Sequence, residues 1–124
     1  MSFLQWNCRG YKANFEEIKS LIREKLSPFA ICLQESFHGE CTPFPPRGYK
    51  IYSANSVVES APNTKPPRGV LTLIRNDIPH CKINIDTELE TIAIRIKASR
   101  EYTICNIYMS PTEVINVNEI SNLI

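Results

Sequence analysis

The chain has 124 residues, 43% hydrophobic and 22% charged, which suffices for one modest core and excludes a disordered tail. Its formal net charge is +1, so no global field gathers polyanions and any contact with nucleic acid has to rest on a local patch. Five cysteines, odd in number and without a Cys-x-x-Cys pair, argue against a disulfide framework and suit small buried thiols in a reducing compartment.

Phe3 to Asn7 is short and aromatic-rich, is followed by Arg9-Gly10, and reads as a strand ending on a polar residue. Asn14 with Glu17 three residues on suggests a capping box. Phe15, Ile18, Leu21, Ile22 and Leu26 then recur on one helical face until Pro28. Phe29 to Gln34 is the next strand, and it runs straight into a carboxylate, Glu35. Strand, one helix of about a dozen residues, strand is the spacing of a right-handed crossover with parallel strands. Asn7 and Glu35 are therefore expected at the same carboxyl end of a sheet, ~5 Å apart if the strands are neighbours. A carboxylate held there by a sheet yet open at its rim is within reach of a hard cation and a phosphate. Taken alone, a Glu closing a strand is more often a solvated residue.

Phe37 to Gly48 is a Pro-containing loop, Tyr49 to Ala54 a strand, and Asn55 to Pro67 a second polar loop with Lys65 and Arg68 at its end. The tetrapeptide Pro-Pro-Arg-Gly occurs at Pro45 to Gly48 and again at Pro66 to Gly69, each time as punctuation before a strand. Gly69 to Ile74 is strongly apolar, Asn76-Asp77 makes a turn, and His80 to Ile85 alternates. Thr91 to Ala98 alternates as well, and Ser99-Arg100 reads as a tight hairpin into Glu101 to Tyr108. After Ser110-Pro111, Asn116 and Glu119 offer another helix start with Ile120, Leu123 and Ile124 on its apolar face and no terminator, as expected for the front part of a larger domain. One crossover helix followed by short hairpin-spaced strands indicates a layered α/β fold.

Three stretches place a polar residue at a strand end: Trp6-Asn7-Cys8-Arg9-Gly10, Leu33-Gln34-Glu35-Ser36 and Asn106-Ile107-Tyr108-Met109-Ser110-Pro111. In this order and spacing, with Gly69-Val70-Leu71-Thr72-Leu73 between, the chain resembles the endonuclease/exonuclease/phosphatase superfamily of magnesium-dependent phosphodiesterases. Within it, the chain is most similar to the apurinic-type endonuclease domain that opens the polyproteins of non-LTR retrotransposons, the long-interspersed and jockey-like elements. The resemblance implies a four-layered α/β sandwich, with residues 1–124 its N-terminal half. It implies a metal site at Glu35 and Asn7 for Mg²⁺ or Mn²⁺, and a catalytic set of Asn7, Glu35 and Tyr108. Asn7 would bond the scissile phosphate or a metal-bound water, and Tyr108 would donate to a phosphate oxygen. The implied reaction nicks target DNA and leaves a 3′-hydroxyl that primes reverse transcription. DNA, element RNA and the reverse transcriptase are the implied partners, in the nucleus when chromosomal DNA is the target.

The family's later Gly-Asp-x-Asn segment, further aspartate and Ser-Asp-His close have no counterpart here, since the only aspartates are Asp77 and Asp86. The chain by itself is therefore expected not to cut DNA. Two other functions fit the same residues: a phosphatase of this fold acting on a lipid or inositol phosphate, and a non-catalytic remnant of a mobile element that binds nucleic acid through Arg9, Lys12, Lys65 and Arg68. A zinc module of Cys32, His38 and Cys41 matches no common finger spacing. With no leader segment and no apolar run of membrane-spanning length, the expectation is an intracellular protein, not secreted and with no membrane partner.

Overall fold

The computed structural model describes residues 2–39, 41–54, 69–87 and 89–108. In chain order the elements are β1 (Phe3–Asn7), α1 (Phe15–Glu24), β2 (Ala30–Gln34), β3 (Tyr49–Ala54), β4 (Val70–Arg75), β5 (His80–Ile83), β6 (Glu90–Lys97) and β7 (Glu101–Tyr108). The first four strands form one sheet in the order β1-β2-β4-β3, and the last three form a second sheet, β5-β6-β7. The crossover is as expected: β1 and β2 are parallel neighbours, with Asn7 paired to Gln34, the residue before Glu35. All other pairings are antiparallel.

Strand alternation sends side chains to two cores. On one face of the first sheet, Ile31, Leu33, Leu71 and Leu73 pack with Ile18 and Ile22 of α1 and with the half-buried Leu4 and Trp6. On the other face, Ala30, Val70 and Ile74 meet Ile92, Ile94 and Ile96 of β6. Those three isoleucines are fully buried, which stabilises the sandwich by ~1.5–3 kcal/mol each. Among the described residues the layers are helix, sheet, sheet. The described residues supply three of the four layers that the resemblance implies, and the terminal helix expected over 116–124 lies outside them.

Several local expectations are corrected. Asn14 stands at the N-cap of α1 without capping it; its amide donates to Cys8 O at 2.8 Å and Gly10 O at 3.2 Å, tying the helix start to the turn after β1. The helix stops at Glu24, and Leu26 lies off its apolar face, 87% exposed. The stop is a Schellman closure: Ser27 N donates to Ile22 O (2.9 Å) and Leu26 N to Arg23 O (3.4 Å), with Leu26 at φ +55 where glycine is the usual occupant. Of the five cysteines Cys8 is buried and Cys32 half-buried, while Cys41, Cys81 and Cys105 are exposed, in a loop or on outward strand positions. The strands expected to end at Ile85 and Ala98 end at Ile83 and Lys97.

At the lower end of the first sheet, Arg75 closes the structure. Its guanidinium donates to Asp77 (2.6 Å) and to Ser27 O (2.8 Å), and lies 4.6 Å from the centre of the Phe29 ring. The Tyr49 hydroxyl adds a bond to Pro28 O at 2.6 Å.

Candidate active site at the sheet rim

The opposite rim is built by three backbone segments that lace together. Cys8 N donates to Gln34 O (3.0 Å), Gly10 N to Glu35 O (2.8 Å), Tyr11 N to Ser36 O (2.8 Å) and Ser36 N to Gly69 O (3.0 Å). This lacing takes the chain out of the strand conformation: Arg9, Glu35 and Phe37 have φ of +48, +52 and +53. Left-handed backbone costs a residue bearing a Cβ on the order of 1–2 kcal/mol, so the interlocked turns impose what local preference opposes. Glycine is obligatory at 69, where φ is +108 and a Cβ would stand 2.5 Å from Ser36 Oγ and 2.7 Å from His38 Nδ1.

Glu35 projects from this frame with its side chain 18% exposed. The Tyr108 hydroxyl, at the end of β7 in the other sheet, donates to its Oε1 at 3.1 Å. Arg9 Nε stands 3.9 Å from its Oε2, a loose pair whose cation is 82% exposed. Asn7 is exposed at the end of β1, and its side chain makes no hydrogen bond among the described residues. The structure therefore brings Glu35, just past the end of β2, into contact with Tyr108 of the other sheet and puts Asn7 directly opposite Gln34, Glu35's predecessor.

A polar seam beneath the rim explains how β7 reaches β2. Asn106 is 2% exposed; its Nδ2 donates to Leu71 O (2.9 Å) and also reaches Thr72 Oγ1 (3.2 Å) and Leu33 O (3.3 Å). Its Oδ1 accepts from Gln34 Nε2 at 2.7 Å, and Gln34 in turn accepts from Gln5. Side-chain amides thus bolt the second sheet to both central strands of the first, two residues before Tyr108. An open groove of about 540 Å³ leads away from this seam between β1 and β7, lined by Phe3, Gln5, Cys32 and Ile107 among others.

The sequence motifs contain Asn106 and Gln34 but assign them no role. Parity was the available signal: Tyr102, Ile104, Asn106 and Tyr108 share one face of β7, so an amide among them has to be buried and paired. Glu90 was passed over as well. It is 1% exposed, accepts from Gly69 N at 2.8 Å, and pairs across the ladder with Tyr108. His38, expected only as a loop residue, is 8% exposed and hydrogen-bonded to Ser36, and burial lowers its pKa. Burial also pushes the Cys8 thiol up, with the neighbouring Glu35 adding to the effect, so Cys8 is a packed neutral thiol. No three His, Cys, Asp or Glu side chains converge into a metal cage among the described residues, and Cys41 stands exposed, which leaves the zinc grouping without support. Lys65 and Arg68 of the basic set lie outside the described residues.

No family model and no curated protein matches the chain. Among solved structures it is similar to the human Nocturnin catalytic domain with bound sulfate anion, at 20% sequence identity and a TM-score of 0.56, covering 86% of this chain. The chain spans about half of that domain, 49% of its length. The likeness shows the fold, a mixed α/β arrangement of the endonuclease/exonuclease/phosphatase type.

Proposed function

We propose that the chain carries part of the site of a metal-dependent phosphodiesterase. The observation that carries this reading is the contact of Tyr108 with Glu35 at the rim, with Asn7 opposite Gln34 in the register: a carboxylate, a phenol and an uncharged amide at the ends of three strands. Glu35 retains acceptor capacity, because its pair with Arg9 is loose and Tyr108 supplies one donor. A single carboxylate with an amide oxygen nearby suits Mg²⁺ or Mn²⁺, hard ions held by one or two carboxylates together with water and substrate phosphate. Glu35 would hold the ion with Asn7 next to it, and when bound it supplies Lewis-acid polarisation of a phosphoryl oxygen.

The chain's own groups bind and orient the ester. Asn7 offers a donor that adds no negative charge to repel the phosphate, and Arg9 can swing its exposed guanidinium toward an anion. Tyr108 orients the Glu35 carboxylate and can donate to an oxygen on which charge develops. The finer reading is a DNA-nicking endonuclease of a non-LTR retrotransposon that leaves a 3′-hydroxyl primer; its support is the resemblance of the three strand-end motifs. It would act in the nucleus alongside element RNA and reverse transcriptase. Cutting is proposed for the parent protein, and ion binding for this chain.

Mn²⁺ titration followed by water proton relaxation tests the chain itself. Binding should disappear in Glu35→Gln and weaken roughly 10- to 100-fold in Tyr108→Phe, which removes the group that orients the ligand. Unchanged Mn²⁺ affinity in a folded Glu35→Gln protein would remove Glu35 from the site. In the parent protein, relaxation of supercoiled plasmid in Mg²⁺ should be lost with the same substitution.

A further inference from the structure

Four large apolar side chains stand exposed among the described residues: Phe3, Leu26, Phe37 and Phe44. Phe3 is engaged, its ring edge-on to Phe29 at 6.4 Å and Tyr102 at 6.3 Å. Leu26 belongs to the helix closure. Phe37 is different: 46% exposed, it belongs to neither core cluster and pairs with no other ring among the described residues. It follows Glu35 by two residues and holds a left-handed backbone, φ +53, that bulky side chains avoid. Its ring edge lies against Gly10, where a Cβ would stand 3.5 Å from Phe37 Cδ2, next to the exposed Arg9 that faces Glu35. The interlocked turns at the rim thus hold a flat aromatic surface in water beside the candidate phosphate site.

We infer that Phe37 is the stacking platform for a nucleobase of the substrate, which makes the substrate at this rim a nucleic acid strand with an unstacked base. This rests on the phosphodiesterase reading of Glu35. A nucleobase is attached one sugar away from its phosphate, so an aromatic face next to the phosphate site meets it without rearrangement, and every base has a π-face to offer. Arg9 lies between the two functions and can serve the phosphate or flank the stacked base. A phosphorylated inositol ring lacks any π-face, so the platform also separates the two substrate classes that the fold leaves open. Phe44, 90% exposed, is tethered to the same turn, since the Tyr11 hydroxyl donates to Phe44 O at 2.6 Å and Tyr11 N to Ser36 O.

The test uses short single-stranded oligonucleotides carrying 2-aminopurine, and matched ones with an abasic sugar in its place, bound in the presence of Mn²⁺. Binding should quench the 2-aminopurine emission, and the abasic strand should bind roughly ten-fold more weakly. Phe37→Ala should abolish that difference and the quenching while leaving Mn²⁺ affinity unchanged; Phe37→Trp should retain both and Phe37→Leu neither. Equal affinity for both strands in the unaltered protein, or full quenching in folded Phe37→Ala, overturns the platform. Failure to bind any oligonucleotide, or binding instead to phosphoinositide vesicles, overturns it as well. Mn²⁺ binding by the unaltered protein tells these failures apart from failure of the hydrolase reading.

Discussion

The two ends of the first sheet each carry an arginine facing a carboxylate, and they treat the pair in opposite ways. At the lower end Arg75 is held on several sides: Asp77 at 2.6 Å, the Ser27 carbonyl, and the Phe29 face beneath. At the rim Arg9 stands 3.9 Å from Glu35 with most of its side chain in water, and Glu35 takes one hydrogen bond from Tyr108. A closure that only has to hold satisfies its charges internally, whereas a site that has to receive a charged ligand keeps capacity in reserve. The backbone does not repeat this contrast: non-glycine residues with left-handed φ stand at both ends, Arg9, Glu35 and Phe37 at the rim and Leu26 and Ser27 at the lower end, and at the rim the lacing hydrogen bonds hold the frame on which the freer charges stand.

The hardest blow to the comparison falls on what supports the rim. Asn106→Leu keeps the branched heavy-atom framework but strands the Gln34 amide and removes the bond to Leu71 O; it should destabilise the fold by roughly 2–4 kcal/mol in denaturant melts followed by Trp6 fluorescence. Gly69→Ala, which drives a Cβ onto Ser36 and His38, should cost a similar amount. A loss below about 1 kcal/mol for both would mean that the rim frame is not rigid.

The arginines sharpen the contrast directly. Arg75→Ala should lower stability by about 1–2 kcal/mol through the lost Ser27 bond and the lost packing on Phe29, and leave Mn²⁺ affinity untouched. Arg9→Ala should change stability by less than about 0.5 kcal/mol and weaken oligonucleotide binding. Reversal of that pattern would mean that the roles of the two ends are exchanged.

The smallest effect is a pH dependence. Burial lowers the His38 pKa in the folded protein, so the unfolded chain binds more protons in the acid range and stability rises with pH there. The His38 contribution is complete above its ordinary value near 6.5 and is lost as pH falls from there through the lowered folded value. His38→Gln should flatten this part of the stability profile, and an unchanged slope would show that His38 is not the group responsible.

Much of the frame was legible in the residues because period and punctuation are local. Alternation in Ile92, Ile94 and Ile96, the helical spacing of Ile18 and Ile22, and the strand-helix-strand length led to the parallel pair that aligns Asn7 with Gln34. Helix ends were less legible: Leu26 fitted the apolar spacing, yet the closure through Ser27 turned it outward. Asn14 looked like a cap, and its amide was drawn instead to the carbonyls of the preceding turn.

The sequence by itself determined the order of the elements, the shared direction of β1 and β2, and so the end of the sheet where Asn7 and Glu35 stand, because these follow from distances of a few residues along the chain. Only the tertiary structure decided that Tyr108 meets Glu35, that Asn106 and Gln34 are the bolts beneath them, that Glu90 is buried, and that Glu35 and Phe37 adopt left-handed backbone. Each of these depends on groups from segments far apart in the chain arriving together, where a close contact or an unpaired buried polar group overrides what any one segment prefers alone.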